Sequence, residues 1–287
     1  MAIDFDYQNA FSRNFGWVSK AEQDKIKNTR VAIGGLGGAG GEHAVTLARM
    51  GFSKFSISDL DEFEQHNMNR QAGCYVSNIG KNKCKAMRDI ILDINPQADV
   101  RIFPGGVKAE NITAFLEDVD IYVDGIDFFC MAARELIYAH VHAKKIPNLL
   151  AAPLGMGAGL VTFLPSKMNY DEYYNFSKCK NEQEKFLNLL IGLGPSLVHK
   201  SYLVVPEAAN FAEKRGPSTP MAIKLCSGML VSNVVKIIIG RGEVIHAPRV
   251  QQFDAYKNKL KITHSPFGTR GPINRAKLFI AKKLVGS

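Results

Sequence analysis

The stretch RVAIGGLGGAGGEHAV, residues Arg30 to Val45, sets Gly35, Gly37, Gly38, Gly40 and Gly41 directly behind a short apolar run. Glycine loses more conformational freedom on folding than any other residue, so a cluster this dense asks what must approach the backbone so closely. A glycine-rich turn that leaves a strand and opens a helix presents backbone N–H groups and the positive helix end to an anion, usually phosphate. Here the strand is VAI, and the helix is expected to begin near Glu42. Tight strand-to-helix packing also favours glycine, so the loop alone does not decide between the two readings. Asp59 raises the first: it ends a second strand, FSISD, about 20 residues on, where an acid meets a ribose hydroxyl in a nucleotide-binding βαβ unit.

Outward from that stretch, apolar β-rich runs alternate with helical patterns. RVAIGG precedes GGEHAVTLARMGF, KFSISDL precedes KNKCKAMRDIILDIN, and DVRIFPG precedes AENITAFLEDV; DIYVDGI precedes CMAARELIYAHVHAKK, and IPNLLAAP closes the series. Such alternation predicts right-handed βαβ units, and hence an α/β, Rossmann-like, doubly wound and mostly parallel sheet with helices on both faces. After Pro153 the pattern breaks into an irregular C-terminal extension that adds antiparallel strands. GMGAGLVTFLP reads as a strand, and a polar, aromatic segment NYDEYYNFSKCKNEQEK as a covering flap or channel lining. A loop-rich stretch then runs to KRGPSTP. MAIKLCSGMLVSNVVKIIIGRG suits a buried helix of about five turns, with Pro220 near its start and Gly240 and Gly242 at its close. RVQQFDAY and KLKITHS resemble a terminal hairpin around Lys257 and Asn258, and the basic tail beyond Ser265 reads as a solvated end. The expected organisation is one domain over residues 1–287, with an N-terminal helical arm (1–28), a nucleotide-binding core (29–152) and an acceptor-side extension (153–287).

Composition narrows the class. The chain of 287 residues shows no uninterrupted run of about 18 apolar residues, and its N-terminus opens with acids instead of a basic and then apolar leader. No membrane association is expected, and a cytoplasmic location is the default. Five cysteines lie scattered without a CxxC pair, against a disulfide framework and against a four-cysteine zinc site. The net charge of +9 suits an acidic partner such as RNA or a phosphorylated ligand, but no run of like charges concentrates it.

The chemistry-bearing residues follow the second strand. Asn67, Arg70 and Lys83 lie in a polar loop and at the next helix start, where an amide and two cations can converge on a triphosphate. Asp124 and Asp127 in VDGIDFF end the fourth strand at the carboxyl edge, where ligands bind in such sheets. Carboxylates beside a polyphosphate point to Mg²⁺, which takes one or two protein oxygens and the rest from phosphate and water. Together the set reads as an ATP site. An NAD- or FAD-dependent oxidoreductase would use the same glycine loop and acid, but it has no use for Arg70 and Lys83. Simpler readings stand beside these: Asp124 as a helix cap, Asp61 as a solvated turn acid, Lys81 and Lys85 as surface charges, and His66 as a loop residue.

In the loop from Gly35 to Gly40, the acid Asp59, the NMNRQ of Asn67 to Gln71, Lys83 in GKNK and the DGID ending at Asp127, the chain resembles the ThiF/MoeB family of adenylating enzymes, bacterial relatives of ubiquitin-activating enzymes. The resemblance covers residues 5–165 and extends weakly through the VSNVVKIIIGRG helix. It implies that Asp59 holds the ribose, that Asn67, Arg70 and Lys83 hold phosphates, and that Asp127 positions Mg²⁺. It places Arg13, in FSRNFGW, as the arginine that reaches into a partner subunit of a homodimer. The implied reaction is attack of a carboxylate on the α-phosphate of ATP, giving an acyl adenylate and pyrophosphate. The implied acceptor is the C-terminus of a ubiquitin-like or sulfur-carrier protein or a peptide; the alternative is a carboxylate on tRNA, as in the related threonylcarbamoyladenosine dehydratases. Many members bind zinc through two CxxC pairs, which this chain lacks, so no structural zinc is expected. Some carry an acyl-accepting cysteine; Cys179, flanked by Lys178 and Lys180, is the candidate here.

Overall fold

In the computed structural model, residues 4–205, 208 and 216–285 are described; the stretch expected to be loop-rich before Pro220 falls partly outside them. Strands β1 (Arg30–Gly34), β2 (Lys54–Ser58), β3 (Asp99–Phe103), β4 (Ile121–Asp124) and β5 (Asn148–Leu154) run parallel, and β6 (Gly157–Phe163), β7 (Arg249–Asp254) and β8 (Lys259–His264) follow antiparallel. One sheet holds all eight in the order β3-β2-β1-β4-β5-β6-β7-β8. The order 3-2-1-4-5 is that of the first five strands of a doubly wound Rossmann sheet, so a loop leaving β1 lies between β2 and β4 at the carboxyl edge.

Strand alternation sorts the side chains into two layers. Val31, Ile33, Ile57, Val123 and Ala151 face one side, under α3 (Gly38–Arg49), α4 (Lys83–Ile94) and α9 (Pro220–Ile239). Ala32, Tyr122, Leu150, Val161 and Phe163 face the other, under α5 (Ile112–Phe115), α6 (Met131–Ala143), α7 (Tyr170–Tyr174) and α8 (Glu182–Leu193). By length and composition α9 could also cross a membrane, although the sequence shows no uninterrupted apolar run; here it lies along α3 and across β5 and β6, with Cys226, Leu230 and Val234 in the core. Gly240 ends it in the left-handed conformation, φ +71°.

At the N-terminus, α1 (Tyr7–Ala10) and α2 (Lys20–Asn28) pack on the far end of α3. The Tyr7 hydroxyl donates to the Gly51 carbonyl (2.7 Å), and the amides of Asn14 and Gln23 both donate to that of Met50 (3.1 Å each). The aromatic segment, read as a covering flap or a channel lining, covers the sheet: it forms α7 and the start of α8, with Tyr173, Tyr174 and Phe176 buried and Asn169 with Glu172 building a capping box. One expectation changes. The basic tail is a helix, α10 (Pro272–Val285), seated on α8 through Leu278 and tied by Lys277 to the Pro195 carbonyl.

Candidate nucleotide site

The glycine loop has two physical explanations, and different glycines answer to each. Gly35, at φ +81°, carries its carbonyl so close to Gly40 that a Cβ there would sit 1.9 Å away. A Cβ on Gly125 would likewise lie 2.5 Å from the Gly35 carbonyl. Gly35, Gly40 and Gly125 therefore let β1, α3 and the loop after β4 touch backbone to backbone. This overturns the expected helix start near Glu42: α3 begins at Gly38, so Gly38, Gly40 and Gly41 lie inside it. Gly37 differs, since the nearest atom to a Cβ there is the Gln71 side-chain amide at 3.8 Å. It is the N-cap of α3, so no side chain caps the first-turn amides of the helix. A helix N-terminus of this kind is the chemistry that can receive an anion.

Asp59, at the end of β2, accepts the Leu36 amide at 2.6 Å and the Asp61 amide at 2.9 Å. It thus ties the glycine loop to β2 whether or not a ribose is present. Burial pushes its carboxyl pKa up from the ordinary value, and the neighbouring Lys83 ammonium offsets part of that. Lys83 opens α4 because Asn82 caps it, accepting the Lys85 amide at 3.3 Å. Its side chain is only 7% exposed, and its Nζ lies 3.2 Å from Asp61 Oδ2, so Asp61 is an ion-pair partner and not a merely solvated acid.

The loop between β2 and α4 brings Arg70 over the start of α3, with Cγ 3.6 Å from where a Cβ on Gly38 would be. Its Nη1 donates to the His66 carbonyl (3.0 Å) and to Asn69 Oδ1 (2.9 Å). Partial burial pulls the guanidinium pKa down and Asp127 pulls it up, which places Asp127 within its electrostatic reach across the loop. Asn67 is buried, and its Oδ1 accepts the Glu64 amide at 3.1 Å, so it shapes the turn that presents Arg70. His66, Lys81 and Lys85 are exposed.

The two acids after β4 part company. Asp124 is unavailable to a metal: it is fully buried, taking Arg134 Nε at 2.7 Å and the Tyr138 hydroxyl at 2.5 Å on Oδ2, and the Ile126 amide at 2.9 Å on Oδ1. Arg134 Nη2 donates to the Ile126 carbonyl (2.7 Å) and the Asp127 carbonyl (3.3 Å) and so pins the loop. Asp127 itself is exposed, with Oδ1 accepting the Phe129 amide at 2.9 Å. Among the described residues no group of three or more acids, histidines or cysteines could hold a metal by itself.

Arg13 does not join this group within its own chain. It is exposed in the turn Ser12–Asn14, which is anchored to the C-terminal end of α3, whereas the glycine loop is at the N-terminal end. Twelve helical residues separate those ends by about 18 Å. Cys179 is only partly exposed, and burial together with Glu184 pushes its thiol up to about 11, the opposite of an activated thiol.

Sequence reasoning passed over Gln71, Arg134 and Ile223. Gln71 is 8% exposed, its Oε1 has no hydrogen-bond partner among the described residues, and its amide lies over Gly37. Its place in NMNRQ was the available signal. Ile223 of α9 packs on Gly38, which only the fold brings close.

A family profile described as the ThiF family matches residues 11–268. Among curated proteins, the tRNA threonylcarbamoyladenosine dehydratase of Bacillus subtilis is 33% identical over 121 residues, 42% of this chain and 48% of that protein. The probable adenylyltransferase/sulfurtransferase MoeZ of Mycobacterium tuberculosis is 33% identical over 115 residues, 40% of this chain and 29% of its own length. The chain thus spans about half or less of these relatives. Among solved structures, PaaA aligns with a TM-score of 0.69 at 19% identity, over 92% of this chain and 85% of that one. Escherichia coli MccB, solved with ATP, aligns at 0.66 and 21% identity, over 94% and 76%. These structures share the fold, and because the profile runs from the N-terminal turn through both the parallel strands and the terminal hairpin, the chain belongs to the ThiF family.

Proposed function

We propose that the chain binds ATP at the glycine loop and adenylates a carboxylate, releasing pyrophosphate. The observation that supports the reading is Arg70 lying over the first turn of α3, with Lys83 near Asp59, the acid that holds the loop leading into that turn. Nucleotidyl transfer asks the protein for position and for cations against the charge that develops on pyrophosphate. The amides of α3 and Arg70 meet the phosphates, Lys83 balances the leaving group, and Asp59 receives the ribose. No general base is needed, since a carboxylate nucleophile is already ionised near neutral pH. Asp127, a single exposed carboxylate at the carboxyl edge, fits Mg²⁺, which takes most of its ligands from phosphate and water. When bound, the ion supplies charge neutralisation along the triphosphate.

The acceptor we favour is the C-terminus of a carrier protein or peptide, in line with the similarity to MoeZ and to MccB, which is solved with MccA. A tRNA carboxylate is the second reading, favoured by the similarity to the B. subtilis tRNA dehydratase and by the +9 charge. Acceptor-dependent exchange of labelled pyrophosphate into ATP tests the class. Exchange lost in Lys83→Ala and in Asp127→Ala is expected, and full activity in both overturns the site. Stabilisation by NAD and not by ATP with Mg²⁺ overturns the nucleotide reading.

We also infer a homodimer in which Arg13 serves the site of the other copy, because it sits at the wrong edge for its own. Mixing Arg13→Ala with Lys83→Ala protein then restores about a quarter of the activity, one intact site in each mixed dimer. No recovery on subunit exchange argues that Arg13 plays no part across subunits.

A further inference from the structure

A helix that is apolar all round is ordinarily buried all round, yet of an 18-residue apolar stretch of α9 only 44% is buried within this chain. On the side turned away from the sheet, Met221, Leu225, Gly228, Ser232, Val235 and Ile239 follow one another at alternating spacings of four and three residues, the 3.5-residue period of a helix-pairing seam. Each is exposed or half-buried, and none is charged. Lys224 and Lys236 stand on opposite flanks of the seam, the first reaching Glu42 of α3 (2.7 Å) and the second the Glu243 carbonyl (3.1 Å). Among the described residues nothing lies over its middle: a Cβ on Gly228 would meet no atom within 4 Å, and the Ser232 hydroxyl already donates to the Gly228 carbonyl (2.7 Å).

Side-chain size along the seam reads the same from either end: large at Met221 and Leu225, small at Gly228 and Ser232, large at Val235 and Ile239. Such a profile complements a copy of itself running the other way, because the small centre lets the helix axes close while Met221 meets the partner's Ile239 and Leu225 meets the partner's Val235. A membrane asks for apolar surface but not for this reversal symmetry. Direction bears on the nucleotide site as well. α9 starts beside the glycine loop, with Ile223 against Gly38, and ends beside the turn that carries Arg13, where Arg241 Nη2 donates to the Trp17 carbonyl (2.9 Å). Reversing one copy upon the other therefore brings the Arg13 turn of each to the glycine-loop end of its partner. We infer that the outer seam of α9 is where a second copy of this chain docks, antiparallel and centred between Gly228 and Ser232. The seam gives a surface to the homodimer inferred above and rests on that reading for the role of Arg13 alone.

Sedimentation of the full chain without ATP tests the seam independently of turnover. The wild type is expected to be a dimer at micromolar concentration. Gly228→Glu is expected to be a monomer with an unchanged circular dichroism spectrum, its dissociation constant raised at least about 100-fold by a charge forced into the seam. Ser232→Glu repeats the test should Gly228→Glu fold poorly. Direction is read by cross-linking with a short bismaleimide after the exposed Cys130 is replaced by alanine. Met221→Cys combined with Ile239→Cys is expected to join two copies, whereas Met221→Cys alone is not, since antiparallel pairing keeps the two Met221 positions about 27 Å apart. A monomeric wild type, a dimer that both glutamate variants leave intact, cross-linking of Met221→Cys to itself, or recovery of the protein on phosphatidylcholine vesicles in place of self-association overturns the seam. Loss of the dimer with turnover intact supports the seam and removes Arg13 from the partner's site, so the two readings fail separately.

Discussion

Replacing Arg134 with methionine gives the sharpest test of how the loop after β4 is held. The guanidinium and the Asp124 carboxylate are both 0% exposed and 2.7 Å apart, and methionine is apolar and of similar reach. The substitution strands a buried carboxylate with Tyr138 and one amide as its remaining donors, and removes the donor from the Ile126 and Asp127 carbonyls. Breaking one side of such a pair costs about 3–5 kcal/mol, whereas replacing both partners by neutral groups is close to neutral. At roughly 2–4 °C per kcal/mol for a chain of this size, the melting midpoint falls by about 10 °C. Adding Asp124→Asn should recover more than half of that loss, as read by urea unfolding of both single variants and the double. Turnover, assayed well below every midpoint, should stay low in the double variant because its Asp127 loop still lacks the Arg134 donor. A single-variant cost under about 1 kcal/mol, or no rescue by Asp124→Asn, refutes the idea that this ion pair carries the loop.

Gly40→Ala should prevent the native turn, its Cβ meeting the Gly35 carbonyl, whereas Gly37→Ala should fold with a normal melting curve and bind ATP more weakly; equal stability of the two would contradict the packing. His43 is completely buried, neither ring nitrogen has a well-placed partner among the described residues, and the Ala151 backbone offsets burial only in part, so its pKa drops to about 3. From about 6.5 down to about 3 the unfolded chain binds a proton that the folded one refuses, so this contribution is whole above pH 6.5 and fades on acidification, by up to about 1.4 kcal/mol per pH unit. His43→Leu should flatten the urea-midpoint profile over that window, and an unchanged slope would exclude His43 as its source. Cys179→Ala should keep ATP turnover within about 2-fold of wild type, since a thiol raised to about 11 is a poor acyl acceptor; loss beyond about 10-fold would reinstate it.

Local patterning settled much of this protein from the sequence alone. Apolar, β-rich runs alternating with helical patterns predict the parallel strands, and the spacing from the glycine loop to Asp59, Arg70, Lys83 and Asp127 marks one sheet edge, because successive parallel strands deliver their carboxyl ends to the same side. The helix breakers at Pro220 and Gly240 bound α9 for the same local reason. What the sequence withheld depends on partners far along the chain or on burial. Asp124 reads as a possible metal ligand until the fold sets Arg134 and Tyr138, one turn apart on α6, against it. That Gly40 must be glycine for packing, whatever its N–H binds, is visible only once the Gly35 carbonyl is seen where its side chain would be. Cys179 looks activated between two lysines until packing takes it out of water. Spacing along a chain records which groups share an edge, but desolvation and close approach are properties of the packed volume, and only the tertiary structure decides them.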